Sequence, residues 1–203
     1  IRTRENQFDL FIFITYSYLT TYLGLQLVPQ KSLLIPAAHE EPHFEFTVFQ
    51  PIFHLPRGIF YNTPEEQMLV ERTWHNQAVP SCIAGAGVSQ ATSAASREPI
   101  SEDSTGDVEG SLNLPQQSYL LYIGRIDVMK GCQEIVEFFL RYVETHPDVH
   151  LVLIGKSAME IQDHPHIHVL GFVSEAQKRY AIQHATILVN PSEYESLSLV
   201  ILE

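Results

Sequence analysis

A chain of 203 residues in which 45% are hydrophobic and 18% are charged has the composition of a globular protein with a buried core. The formal net charge of −12 argues against a general nucleic-acid binder and leaves no polybasic anchor for acidic lipids. The two cysteines, Cys82 and Cys132, lie outside any metal-binding spacing and are expected to be reduced thiols of a cytoplasmic protein.

The apolar stretch 8–24 is the first predicted element. Asp9 and several Thr, Tyr and Gly residues interrupt it, so it is predicted to be a buried strand running into a helix rather than a membrane span. No signal-peptide pattern follows Arg2 and Arg4. Because the chain does not begin with Met, we expect it to be an internal fragment of a longer protein.

Alternating strands and helices are predicted in the first block of the chain, residues 1–93. Thr63 can cap a helix whose first position is Pro64, and Glu66 would complete a capping box. Four apolar runs have the character of strands, the last ending in a glycine turn: 10–15, 31–38, 58–61 and 78–88. Residues 94–117, rich in Ser, Gly, Pro and acids, are predicted to be a flexible linker or loop.

The second block, residues 118–203, has a sharper pattern. Helices are predicted over 131–145, from Ser174 with a capping box to Gln177, and from Leu197. Continuous apolar strands indicate a parallel sheet covered on both faces, with ligands at the carboxyl ends of its strands. The strands are predicted over 118–123, 150–154, 167–170 and 186–189.

Charged residues fall at two of these strand ends. Arg125 and Lys130, flanked by glycines, suit a diphosphate, although alone they could be two solvated cations on a loop. At the last strand end, Glu195 and Glu203 enclose a helix start whose free amides suit phosphate, while the acids suit sugar hydroxyls. Each acid alone could be an ordinary helix residue. Together, the two groups complement a sugar–diphosphate–nucleoside.

Five ordered motifs carry a resemblance to a known family. They are Y-I-G-R-I-D-V-M-K-G, L-V-L-I-G, H-V-L-G-F-V-S-E-A-Q-K-R-Y, A-T-I-L-V-N-P-S and the acid-x7-acid stretch E-S-L-S-L-V-I-L-E. This block resembles the nucleotide-sugar-binding half of the family 4 (group 1) retaining glycosyltransferases. The first block resembles the acceptor-side half more loosely. The resemblance implies an α/β fold of the GT-B type, with two Rossmann-like parallel-sheet domains, both incomplete in this chain.

The resemblance also implies roles for single residues. Arg125 and Lys130 would hold the donor diphosphate, Glu203 the ribose hydroxyls, and Glu195 would lie by the transferred sugar. Amides around Leu197 and Ser198 would cap the distal phosphate. Catalytic roles would fall to Glu195, Arg125 and Lys130. The implied nucleotide-sugar site comprises Gly124, Arg125, Lys130, Gly171, Phe172, Val173, Glu195, Ser196, Leu197, Ser198 and Glu203, with the turn 171–173 facing the base.

As the resemblance implies, the parent protein would transfer a sugar from a UDP-, GDP- or ADP-sugar to a hydroxyl group with retention, in glycan or glycolipid synthesis. The acceptor would be a glycan, a lipid-linked or a small molecule, and any peripheral membrane contact would come through the missing half. No cofactor is expected. Two cations and a helix dipole would replace a metal, and the sequence contains no Asp-x-Asp pair. The fragment alone is expected to be inactive.

Alternatives and weaker signals complete the sequence predictions. The same site could serve a nucleotide-sugar epimerase, or the chain could be a non-catalytic nucleotide-binding or scaffold module. His39 lies at a predicted strand end facing the cleft, and it could be structural. Histidines at 164, 166 and 168 suggest a metal site, but their alternation favours a polar loop and strand edge. A Rossmann dehydrogenase is disfavoured because the glycine turn 85–87 lacks a third glycine.

Overall fold

The computed structural model of the protein describes residues 1–88 and 112–203, which divide into two compact units. The first unit comprises residues 1–88 and Tyr194–Leu202. The second comprises the described residues from 112 to 193 together with Glu203. The predicted linker lies outside the described residues up to position 111. Of its last residues, Leu112 is buried in a core of the second unit.

Four parallel strands form the sheet of the first unit, in the order β1-β2-β3-β4. The strands are β1 (Phe11–Ile14), β2 (Ser32–Ile35), β3 (Gly58–Tyr61) and β4 (Ser81–Ile83). The helices are α1 (Leu19–Leu27), α2 (Gln50–His54) and α3 (Pro64–Trp74), with 3-10 turns at Arg2–Gln7, Pro29–Lys31 and Thr47–Phe49. The stretch 8–24 thus forms β1 and α1. Within residues 1–88 and 112–203, no helix has the length and apolar character needed to cross a membrane.

Aromatic rings fill the core of the first unit. The rings of Phe53 and Trp74 stack at 5.6 Å, and Phe44 meets both edge-on. Tyr16, which is fully buried, packs on Phe53 with ring centroids 5.5 Å apart. These contacts join the segment after β1 to α2 and α3. Large rings contribute much of the buried apolar area that stabilises a small unit.

A buried carboxylate fixes the strand ends beside this core. Thr63 caps α3, as predicted, by accepting a hydrogen bond from the Glu66 amide at 3.0 Å. The Glu66 side chain differs from the prediction, because it reaches beyond the cap and accepts from the amides of Ala38 (2.6 Å) and Asn62 (2.5 Å). Burial raises the pKa of Glu66, and the amide hydrogen bonds oppose that shift. Glu66 therefore ties the segment after β2 to the segment after β3.

The second unit also contains a four-stranded parallel sheet, in the order β7-β6-β5-β8. Its strands are β5 (Tyr119–Ile123), β6 (His150–Ile154), β7 (Ile167–Gly171) and β8 (Ile187–Leu188). Its helices are α4 (Cys132–Val143) and α5 (Glu175–His184), with a 3-10 turn at Val128–Lys130. The last helix, α6 (Leu199–Leu202), is grouped with the first unit and begins two residues later than predicted.

Apolar side chains cover both faces of this second sheet, as the continuous apolar strands predict. On one face, Ile135 and Phe139 of α4 pack with Leu151 and Leu153 of β6. On the other face, Ala181 of α5 belongs to the cluster that contains the alternate residues of β5 and β6. The predicted capping box at the start of α5 is confirmed. The sheet is therefore a buried layer between helices.

Histidines meet at the beginning of β6 and β7. His150 Nδ1 lies 2.9 Å from His168 Nε2, and the rings of His150 and His166 stack at 4.7 Å. Burial, followed by the charge of neighbouring histidines, lowers the pKa of His150 and of His168. In the described ranges, no group of three or more His, Cys, Asp or Glu side chains is arranged to hold a metal.

This histidine pair should make the free energy of unfolding depend on pH. The folded state keeps His150 and His168 neutral, whereas the unfolded chain takes up protons as the pH falls below the ordinary value of 6.5. We expect stability to be fully present above pH 6.5 and to decrease on acidification, measured by urea denaturation at pH 7.5 and 5.5. The decrease should be smaller in His150→Gln but remain in a control, His184→Gln. An equal decrease in both variants would contradict the prediction.

Candidate functional site

Strand order marks one edge of the second sheet as a candidate binding edge. The chain runs from β5 outward through β6 to β7, and then returns to place β8 on the other side of β5. Such a reversal leaves a crevice outside the carboxyl ends of the two strands, where α/β proteins bind ligands. The segments that leave these two ends are 124–131 after β5 and 189–192 after β8. They carry the predicted cations and the N-P-S sequence.

A glycine allows these two segments to touch. Gly131 adopts a left-handed conformation with φ of 72° at the start of α4. A Cβ atom at this position would lie 2.7 Å from the carbonyl oxygen of Pro191, so only glycine fits without a shift. The close approach brings Lys130 to the same place, with its Nζ 3.5 Å from Ser192 Oγ. The structure thus joins the two strand ends that the sequence analysis treated together.

Arg125 is held by a neighbour that the sequence prediction missed. Its Nε lies 3.0 Å from Asp127 Oδ2, and the other Asp127 oxygen accepts from the Met129 amide at 2.7 Å. The Tyr122 hydroxyl donates to the Arg125 carbonyl at 2.8 Å. The guanidinium side chain remains 58% exposed. An acid two residues after Arg125 was the available signal, and Asp127 both orients the guanidinium and caps the turn that carries Lys130.

The predicted base-facing turn follows β7. Gly171 has a left-handed φ of 67°, and a Cβ there would meet no atom within 4 Å. Phe172 is 83% exposed, which is a large apolar surface left open to solvent beside a predicted ligand. Val173 packs against the α5-side core and Ser174 caps α5. The turn is therefore anchored on one side and open on the other.

Glu203 lies in an ion-pair network that the sequence analysis also missed. The Lys178 ammonium lies 2.9 Å from Glu203 Oε1 and 2.8 Å from Oε2. It also lies 2.9 Å from Glu175, three residues earlier on α5. The pKa of Lys178 is raised, mainly by the hydrogen bond to Glu203 and against the effect of burial. Lys178 stood inside a motif of the resemblance, but nothing local in the sequence linked it to an acid 25 residues later.

The other predicted residues belong to the first unit. His39, Glu195 and Ser196 line one cavity of about 560 Å³, beside the segment after β2 and the start of α3. His39 Nε2 lies 3.5 Å from Glu41, which also accepts a 2.7 Å hydrogen bond from the Tyr16 hydroxyl. Leu197 and Ser198 precede α6. The acids of the acid-x7-acid stretch are therefore assigned to different units.

Comparison with a family model agrees with the motifs. The model described as glycosyl transferases group 1 matches residues 117–203. Residues 117–203 are therefore similar to the group 1 glycosyl transferases. The match covers every strand described in the second unit and the residues around its switch point. The resemblance stated from the five motifs is confirmed for this block. A search of curated proteins finds no match to the chain.

Solved structures agree with the predicted fold class. The pneumococcal O-GlcNAc transferase GtfA, in complex with UDP and GlcNAc, matches with a TM-score of 0.65 and 13% identity, over 99% of this chain and 42% of that chain. The α,α-trehalose 6-phosphate synthase from Burkholderia multivorans matches with a TM-score of 0.60 and 15% identity, over 92% and 52%. At such identity the likeness shows the fold, which is α/β of the GT-B type. The chain spans about half the length of these proteins.

Two glycine substitutions separate the close approach at Gly131 from simple backbone strain. Gly171→Ala places a Cβ in open space and should cost only the left-handed strain, about 1 kcal/mol. Gly131→Ala adds an overlap with Pro191 and should destabilise by a further ~1–3 kcal/mol. Thermal and urea unfolding of both variants measures the difference. Equal losses would show that the contact with Pro191 imposes no constraint.

Proposed function

We propose that the protein transfers a sugar from a nucleoside-diphosphate sugar to an acceptor hydroxyl group, with retention of configuration. One observation carries the proposal: the loop with Arg125 and Lys130 meets the 190–192 segment at the switch point of the second sheet. Two cations at the carboxyl ends of parallel strands are suited to a diphosphate. The group 1 match over residues 117–203 supports the same assignment.

The cations act on the leaving group. In such a transfer, the bond between the sugar and the distal phosphate breaks, and negative charge accumulates on the departing nucleoside diphosphate. Arg125 and Lys130 stabilise this charge, and Asp127 keeps the guanidinium oriented before the reaction begins. Preorganised charges stabilise a transition state without further rearrangement. A Cβ at Gly124 would lie 2.8 Å from the Tyr122 hydroxyl, and one at Gly131 would lie 2.7 Å from the Pro191 carbonyl, so both glycines allow this loop to pack closely.

Other residues position the two ends of the donor. Glu203 accepts hydrogen bonds from the ribose hydroxyls, and the turn of Gly171, Phe172 and Val173 faces the base. The exposed Phe172 ring supports this placement, because an aromatic face can stack on any base. Amides of Leu197 and Ser198 bind the distal phosphate.

Glu195 is the residue proposed to contact the transferred sugar. It lines a cavity of the first unit together with Ser196 and His39. We propose that Glu195 hydrogen-bonds sugar hydroxyls, while the acceptor hydroxyl attacks from the face that the diphosphate leaves. Retention follows from this front-face attack, in which positioning and charge stabilisation supply the catalysis without a protein nucleophile. An acceptor that is a glycan, a lipid-linked sugar or a small alcohol satisfies the same chemistry.

Substitution of the cations and of the terminal acid tests the assignment. Arg125→Ala and Lys130→Ala should each lower kcat/KM by about 100-fold or more, since each removes charge stabilisation of the leaving group. Glu203→Ala should mainly raise KM for the donor. Transfer and hydrolysis of UDP-, GDP- and ADP-sugars by the full-length protein measure these effects, with Arg141→Ala on α4 as the control. Wild-type turnover in all three variants would refute the proposal, and formation of an epimeric sugar without an acceptor would indicate an epimerase.

Removal of divalent metal should leave turnover unchanged. Arg125 and Lys130 supply the positive charge that a metal ion supplies in metal-dependent transferases, so the diphosphate needs no added cation. We expect the same kcat with excess EDTA and with added Mg²⁺ or Mn²⁺. A loss of activity in EDTA that Mn²⁺ restores would contradict this part of the proposal.

A further inference from the structure

We propose that Lys178 is a positioning residue that holds the Glu203 carboxylate in the orientation needed to bind the ribose of the donor nucleotide. This inference rests on the proposed function, because it assigns Glu203 to the ribose. It adds a residue that the acid-x7-acid signature does not contain. Lys178, Glu175 and Glu203 all belong to the second unit.

The geometry indicates that Lys178 orients the Glu203 carboxylate and does not merely form a surface ion pair with it. The ammonium lies nearly equidistant from the two carboxylate oxygens of Glu203, at 2.9 and 2.8 Å. A cation in that position fixes the direction in which the carboxylate points and not only its distance from the lysine. The Lys178 side chain is 17% exposed, and the Glu203 side chain is 31% exposed. Such partial shielding makes an ion pair stronger than one between fully solvated chains.

The third member of the network holds Lys178 itself. Glu175 lies one turn earlier on α5 and contacts the same ammonium at 2.9 Å, although its side chain is 76% exposed. Ser174 caps the helix at this point, so the backbone under Glu175 and Lys178 is well defined. The lysine therefore spans from a fixed helix start to the carboxylate, and its long side chain loses much of its freedom before any ligand arrives.

Hydrogen-bond capacity explains why a lysine suits this position. A carboxylate has about four lone-pair sites, and the ammonium uses one on each oxygen. The lone pair that remains on either oxygen can accept a ribose hydroxyl. The cation also offsets the repulsion between this acid and the diphosphate of the donor.

Nucleotides that lack one ribose hydroxyl report directly on this orientation. The experiment is calorimetric titration of the protein with UDP, GDP and ADP, and with the 2′-deoxy and 3′-deoxy forms of whichever binds. Lys178→Met should weaken binding of the ribonucleotide about tenfold, the loss of one charge-assisted interaction. It should weaken binding of the deoxy forms much less, so the preference for ribose falls. Lys178→Arg should restore part of that preference.

Further variants separate positioning from a structural role. Glu203→Gln should lose the same ribose preference, and Lys178→Met with Glu203→Gln should lose little more than either alone. Arg179→Met, the next cation on α5, is the matched control and should keep wild-type affinity and preference. Thermal unfolding of each variant reports whether the fold is intact.

Three outcomes overturn the inference, and they are distinguishable. Equal weakening of ribose and deoxy nucleotides by Lys178→Met would assign Lys178 a structural role only. Unchanged affinity and preference would remove Lys178 from the site while leaving the proposed function intact. Absence of binding to any nucleotide by the wild-type protein would refute the proposed function, and the inference with it.

Discussion

The contact between Gly131 and Pro191 is the constraint on which the second unit's candidate site depends. It joins the segments that follow β5 and β8, two strands that are neighbours in the sheet but distant in the chain. Without that contact, the backbone would not bring Lys130 close to Ser192. The strand order creates the crevice, and the missing side chain at Gly131 allows the crevice to be narrow. The positions of the cations are therefore a consequence of backbone packing.

Much of the fold could be predicted because buried parallel strands leave a direct pattern in the sequence. The runs that became β5 and β6 are continuous apolar stretches closed by glycine, and the start of α5 shows a complete capping box. The predicted start of a helix is less accurate where residues that favour turns lie beside residues that favour a helix. The segment from Leu197 is apolar enough for a helix, yet α6 begins only at Leu199, because two serines and an acid favour turns at its start.

The candidate site could be predicted only in part, for a physical reason. Types of residue at strand ends are visible in a sequence, and so Arg125, Lys130 and the two acids could be named. Partners that come from elsewhere in the chain are not visible. Lys178 meets Glu203 only because α5 is folded back beside the end of the chain, and Glu66 meets Ala38 only because β2 and β3 are adjacent. Hydrogen bonds across the fold determine what each carboxylate can do.

Glu66 and Glu203 differ in their hydrogen-bond partners. This difference distinguishes a structural acid from a binding acid. Both oxygens of Glu66 accept hydrogen bonds from backbone amides, and the residue is 2% exposed, so its carboxylate is already engaged within the fold. These hydrogen bonds hold the segment after β2, which carries His39, against the start of α3. Glu203 is instead held by the Lys178 ammonium at a partly open surface, with lone pairs left over. A carboxylate satisfied by amides maintains the scaffold, whereas one oriented by a lysine remains available to a hydroxyl.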